Sequence, residues 1–146
     1  AFWSQRYGTW EDILPPRATR SAGNPAHLLD FKRFSSDALL AYYQAEEAVL
    51  RERSRAPITT NLMVTAHIQT QDYWSWAPHL DLIANDHYLD HRLADPLAEL
   101  AFSADLTRGL AGGRPWMLME TSTSAVSWQP VNHAKREGEL VRTALG

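Results

Sequence analysis

The residues best suited to chemistry gather in two stretches, Arg114–Pro130 (RPWMLMETSTSAVSWQP) and Asn85–His91 (NDHYLDH). In the first, the short apolar run Trp116-Met117-Leu118-Met119 ends on a carboxylate, Glu120, and a polar loop carrying Trp128 follows. In parallel α/β architectures the loops beyond the carboxyl ends of the strands build the active site, so an acid placed there is a candidate for chemistry. In the second, Asn85, Asp86, His87 and Tyr88 follow another apolar run, Leu80 to Ala84, and Asn61 lies near the end of a third. If the three runs are neighbouring parallel strands, all these groups share one rim. Singly they have plainer roles: Asn61 and Asp86 read first as caps of a following loop or helix, and Glu120 as a salt-bridge or cap partner.

A carboxylate at a strand end ringed by Trp, Tyr, Asn and His fits glycoside hydrolysis. A retaining glycosidase uses one carboxylate as nucleophile on the anomeric carbon and a second, about 5 Å away, as acid and then base. Other chemistries have weaker support. His87 and His91 are four residues apart with carboxylates beside them, but that spacing joins two imidazoles on a metal only on a helix. A loop is expected here, between a strand and the helix start at Asp95-Pro96, so we expect no metal and no other cofactor. Ser122 and Ser124 lack the glycine-flanked elbow of a nucleophilic serine. Gly109, Gly112 and Gly113 end a helix and do not open one, which excludes a phosphate-cradling loop.

The elements that must position these groups alternate. After a short helical turn and a Pro-rich, Ser/Ala/Gly-rich stretch, Asn24 offers an N-cap and Pro25 a first helical position. Apolar residues from Leu28 to Leu50 recur at helical spacing and predict a long amphipathic helix to about Ser54. Strands are expected at 58–64, 80–84 and 116–119, with a short helix or helical turn within 69–78, a helix from Pro96 to Leu110 stopped by Gly112-Gly113, and a last helix at about 134–145. Helix and strand in strict alternation mean right-handed βαβ units and a parallel sheet. Three strands neither close a barrel nor make a comfortable doubly wound sheet, so the chain is expected to be part of something larger.

Composition removes several classes. The 146 residues are 45% hydrophobic and 21% charged with a net charge of −3, ordinary for one soluble domain and without a basic patch for nucleic acid. No apolar stretch approaches membrane-spanning length, and the absence of cysteine removes disulfides and thiolate zinc sites. A cytoplasmic protein is the expectation. Six Trp and five Tyr supply aromatic surfaces of the kind that bind sugars, although most are expected in the core.

The segments AFWSQRYGTW, LDFKRFSSDAL, TTNLM, NDHYLD, ELAFSADLTRGLAGGRPWMLMETSTSAVSWQP and HAKREGEL together resemble the catalytic barrel of glycoside hydrolase family 42 β-galactosidases. The likeness covers essentially the whole chain. It implies an α/β fold, a partial TIM (β/α)8 barrel supplying strands five to seven with their helices, and a galactoside substrate. It implies that Glu120 is the nucleophile that forms a galactosyl-enzyme intermediate, that Trp128 lines the galactose subsite, and that Tyr88 and Asn85 lie beside the nucleophile. Trp3 resembles the tryptophan that reaches a neighbouring subunit's active site in the family's homotrimers. The family's acid/base glutamate lies in an Asn-Glu pair at the end of strand four, and this chain has no such pair. His is commoner in the family where Thr121 stands, and Asn where Ser127 stands. The chain is therefore expected to carry half of a catalytic pair and to be inactive alone. The competing expectation is a non-catalytic partial barrel that binds sugar or completes an assembly.

Overall fold

The computed structural model describes residues 5–18, 20, 22–65 and 68–145. A 3-10 turn, Trp10–Asp12, is tied by the Asp12 carboxylate, which accepts the amides of Gly8 at 2.8 Å and Thr9 at 3.0 Å. Helix α1, Pro25–Arg51, begins where Asn24 and Pro25 predict, with the Asn24 side chain accepting the Ala26 amide at 3.0 Å. Then come strand β1 (Asn61–Leu62), helix α2 (Tyr73–Trp76) running into a 3-10 turn at Ala77–His79, strand β2 (Ile83–Asp86), helix α3 (Pro96–Ala111), strand β3 (Trp116–Glu120) and helix α4 (Glu139–Leu145). Strands and helices alternate as expected, and the sheet is parallel in the order β1-β2-β3. The architecture is mixed α/β.

Two strands differ from their expected limits, for a common reason. β1 is far shorter than 58–64 because side chains take over its pairing at both ends. The Asp81 carboxylate accepts the Ile58 amide at 2.7 Å, and the Thr59 hydroxyl donates to the Leu82 carbonyl at 2.5 Å. At the other end the Val64 amide goes to the Asn85 side chain at 2.9 Å. β2 starts at Ile83 and not at Leu80, since the Leu80 amide closes the preceding 3-10 turn on Ala77 and Asp81 is engaged by Ile58 and Arg51. That shift draws Asn85 and Asp86 into the strand itself.

The last helix also begins later than predicted. Gly138 has a φ of 76°, a left-handed conformation that breaks a helix, and α4 starts only after it. α3 matches its reading closely: Asp95 accepts the Ala98 amide at 3.0 Å, and Gly112 ends the helix at φ 60°.

One face of the sheet meets the helices. Leu62, Val64, Ile83 and Leu80 pack there with Tyr43 of α1, Trp76 of α2, and Leu110 and Ala111 of α3. Arg114 fastens this layer from its edge. Its guanidinium donates to the carbonyls of Ala77 and Leu80 at 3.0 Å each and of Ala111 at 3.1 Å, joining the end of α3 to the approach of β2. The other face is less covered, with Met117 and Met119 of β3 40% and 39% exposed. No helix among the described residues is long and apolar enough to cross a membrane.

Candidate active site

Side-chain parity along the strands decides which rim residues meet. In β2, Ile83 and Asn85 point toward the helices, while Ala84 and Asp86 point to the opposite face. Ala84 pairs with Met117 and Asn85 with Leu118, but Asp86 pairs with Glu120, not with Met119. Met119 is thus an extra residue in β3. An irregularity of this kind moves every later side chain to the other face, so Glu120 shares the face of Asp86 where an unbroken register would turn it toward α3. The His87 amide donates to the Glu120 carbonyl at 3.0 Å and secures the shifted register.

Beyond β2, Tyr88 reaches across this rim. Its hydroxyl donates to Glu120 Oε2 at 2.5 Å, a short charge-assisted bond. The bond holds the proton on oxygen: the phenol is pushed up to about 12, chiefly by its hydrogen bond to Glu120. The Tyr88 ring also meets Trp128 edge to face, with centroids 4.9 Å apart and planes at 83°. Trp128 is 64% exposed, so its indole presents a broad open surface next to the Tyr88–Glu120 couple.

Asp86 completes the rim. Asn61 Nδ2 donates to its Oδ2 at 2.6 Å, tying the end of β1 to the end of β2. Burial pushes the Asp86 carboxyl above the usual aspartate range; the Asn61 bond opposes that shift and the charge of Glu120 adds to it. A cavity of about 200 Å³ opens among these groups, lined by Met63 and Thr65 after β1, Asp86 to Tyr88, Asp90, Arg92, Glu99, and Trp128 to Pro130.

Of the residues singled out from the sequence, Glu120, Tyr88 and Trp128 come together. Asn85 does not join them. It is 1% exposed and directed at α3, where its amide donates to Ser103 Oγ at 2.9 Å and its carbonyl oxygen accepts the Val64 amide. Ser103 Oγ in turn donates to the Val64 carbonyl. Asn85 therefore clamps the segment after β1 to α3, on the face of the sheet away from Glu120. Trp3 lies outside the described residues. Asp86, read from the sequence first as a cap, belongs to the rim instead. Extending β2 by two residues would have placed Asp86 on the strand, but its pairing with Glu120 depends on the extra residue Met119, since plain alternation puts Glu120 on the face of Asn85.

The histidines of the same loop part company. His87 is buried at 1% exposure, whereas His91 stacks on His133 from the loop after β3, with centroids 4.7 Å apart and planes at 22°. Among the described residues no group of three or more His, Cys, Asp or Glu is placed to hold a metal ion.

Comparison with known proteins agrees with this architecture. The glycoside hydrolase family 42 model, described as beta-galactosidase, matches residues 1–146. The beta-galactosidase of an Arthrobacter species is 58% identical over 146 residues, covering 99% of this chain and 21% of the relative. Beta-galactosidase BbgII of Bifidobacterium bifidum is 43% identical over 148 residues, with the same shares of 99% and 21%. Among solved structures, the beta-galactosidase from Bacillus circulans sp. alkalophilus superposes with a TM-score of 0.84 at 33% identity, over 98% of this chain and 22% of that one. Gan42B, a GH42 beta-galactosidase, gives a TM-score of 0.79 at 37% identity over 94% and 22%. The chain spans about a fifth of the length of these proteins, and it belongs to the glycoside hydrolase family 42 beta-galactosidases.

Proposed function

We propose that this chain is a segment of the catalytic (β/α)8 barrel of a retaining β-galactosidase, contributing strands five to seven, and that Glu120 is the nucleophile acting on terminal β-D-galactosides. The observation that carries the reading is the Tyr88–Glu120 hydrogen bond at the carboxyl rim of a parallel sheet, beside the exposed indole of Trp128. A donor fixed on one carboxylate oxygen leaves the other free to attack and holds the group in one orientation.

In the first step the free Glu120 oxygen forms a bond to the anomeric carbon as the glycosidic C–O bond breaks. The leaving oxygen takes a proton from a second carboxyl group. The family resemblance puts that group in an Asn-Glu pair, which this chain does not contain. In the second step the same group, now a carboxylate, takes a proton from water. The water oxygen bonds the anomeric carbon and Glu120 departs as carboxylate. Trp128 supports an apolar face of the sugar, and Tyr88 donates its hydrogen bond to the Glu120 carboxylate before attack, the phenol being raised chiefly by that bond.

Because the pair is divided, the chain alone is inactive and its chemistry belongs to the longer enzyme. The test is Glu120→Gln in that full-length enzyme, or in the Arthrobacter relative carrying this segment in place of its own. Turnover of an aryl β-galactoside is lost if the reading is right, and activity near that of the unsubstituted enzyme overturns it.

A non-catalytic module is the second reading, favoured by the part-exposed Met117 and Met119 on the less covered sheet face. Light scattering and galactose titration of the isolated chain separate the two. A monomer that binds no sugar argues against the module.

A further inference from the structure

Asp86 is closed off from solvent at 2% exposure, whereas Glu120 opposite it is exposed. Its Oδ2 accepts one hydrogen bond, from the neutral amide of Asn61, and its buried Oδ1 has no partner among the described residues. Among the described residues, the groups whose hydrogen bonding or charge reaches it are Asn61 on β1, Tyr73 on α2, Tyr88 beyond β2, and Glu120 on β3, while His87 and Glu99 line the same cavity. None of the first four carries a positive charge. Arg92 lines the same cavity but is engaged by Asp90 through bonds of 2.8 Å and 2.6 Å.

A buried carboxylate needs donors or a cation to replace the water it has lost. Among the described residues Asp86 has one neutral donor, a sealed oxygen and a second carboxyl across the sheet. We propose that Asp86 is carried as the neutral acid and acts as a positioning residue, its Oδ2 fixing Asn61 and hence the β1 rim while adding no charge beside Glu120. The upward push that burial exerts on this carboxyl runs in the same direction. Two neighbouring carboxyls held in different protonation states can take different roles, and the nucleophilic role proposed for Glu120 needs a carboxylate at that position. The inference rests on the reading of Glu120 as nucleophile, and it adds a reason why that nucleophile does not compete with its neighbour for a proton.

The test compares Asp86→Asn and Asp86→Leu with the unsubstituted full-length enzyme, by the pH profile of kcat/KM on an aryl β-galactoside and by infrared difference spectroscopy at neutral pH. Asp86→Asn exchanges one neutral acceptor for another. The acid limb of the profile therefore stays in place, and the infrared difference shows the loss of a protonated carboxyl. Asp86→Leu removes the acceptor for Asn61, so its kcat/KM falls about tenfold below that of Asp86→Asn. If Asp86 is instead an anion, Asp86→Asn removes a negative charge beside Glu120, the acid limb moves to lower pH and no protonated-carboxyl band disappears. That result overturns the proposal. Equal activity in the two variants overturns the positioning role. The infrared comparison needs no turnover, so an active Glu120→Gln enzyme would refute the nucleophile while leaving the protonation of Asp86 decided separately.

Discussion

Glu120 stands opposite Asp86 across the sheet, one residue further along β3 than an unbroken register with β2 would place it. The extra residue, Met119, turns the carboxylate away from α3 and onto the face where Tyr88 and Asp86 meet it. A single irregularity thus assembles the rim.

The Tyr88–Glu120 bond gives the first prediction. In the full-length enzyme Tyr88→Phe keeps the edge-to-face contact with Trp128 but removes the donor to Glu120. A charge-assisted hydrogen bond of this kind is worth about 1.5–3 kcal/mol, so kcat/KM should fall by about ten- to a hundredfold. Steady-state kinetics on an aryl β-galactoside check it, and a loss below twofold contradicts it.

Asn85 gives the second. Its two hydrogen bonds to Val64 and Ser103 are buried, and Asn85→Ala strands both partners at a cost of about 2–4 kcal/mol in stability. Denaturant unfolding should register the loss, while KM of the folded enzyme stays unchanged. A changed KM with unchanged stability would place Asn85 in sugar binding after all.

Helix capping gives the third. Asp95 accepts the Ala98 amide at the start of α3, which bears Leu110 and Ala111 of the core. Asp95→Ala should cost about 1 kcal/mol, and Asp95→Asn much less, in thermal or denaturant unfolding.

The fourth concerns pH. The Asp72 carboxyl is held below the ordinary aspartate value of 3.8, mainly by the Ser75 hydroxyl. Asp81 is likewise held down, mainly by its hydrogen bond with Arg51 and then by the Ile58 amide. A carboxyl lowered by folding adds stability that is complete above its unfolded value and lost as pH falls through the folded one. Stability should therefore decline below about pH 4, and Asp72→Asn with Asp81→Asn should flatten that decline when unfolding is followed against pH.

Much of this fold is legible in the sequence because its signals are local. Asn24-Pro25, Asp95-Pro96 and Gly112 mark helix ends through capping and left-handed geometry that act within a few residues. Glu120 at a strand end with Trp128 in the following loop is visible for the same reason. What is not legible depends on distant partners. The short β1 results from Asp81 and Asn85 answering its backbone from the neighbouring segment, and Arg114 gives no hint of the three carbonyls it joins. The bulge at Met119 leaves no mark in the apolar run WMLM, yet it decides which rim residues face Glu120.

The central claim is that Glu120 forms the covalent intermediate. The most direct measurement treats the full-length enzyme with a 2-deoxy-2-fluoro-galactoside bearing a good leaving group, which slows release of the glycosyl-enzyme, and then maps the labelled peptide by mass spectrometry. The account predicts one fluorogalactosyl group on the peptide containing Glu120, absent in Glu120→Gln. A label on another carboxylate, or an undiminished label in Glu120→Gln, would contradict it.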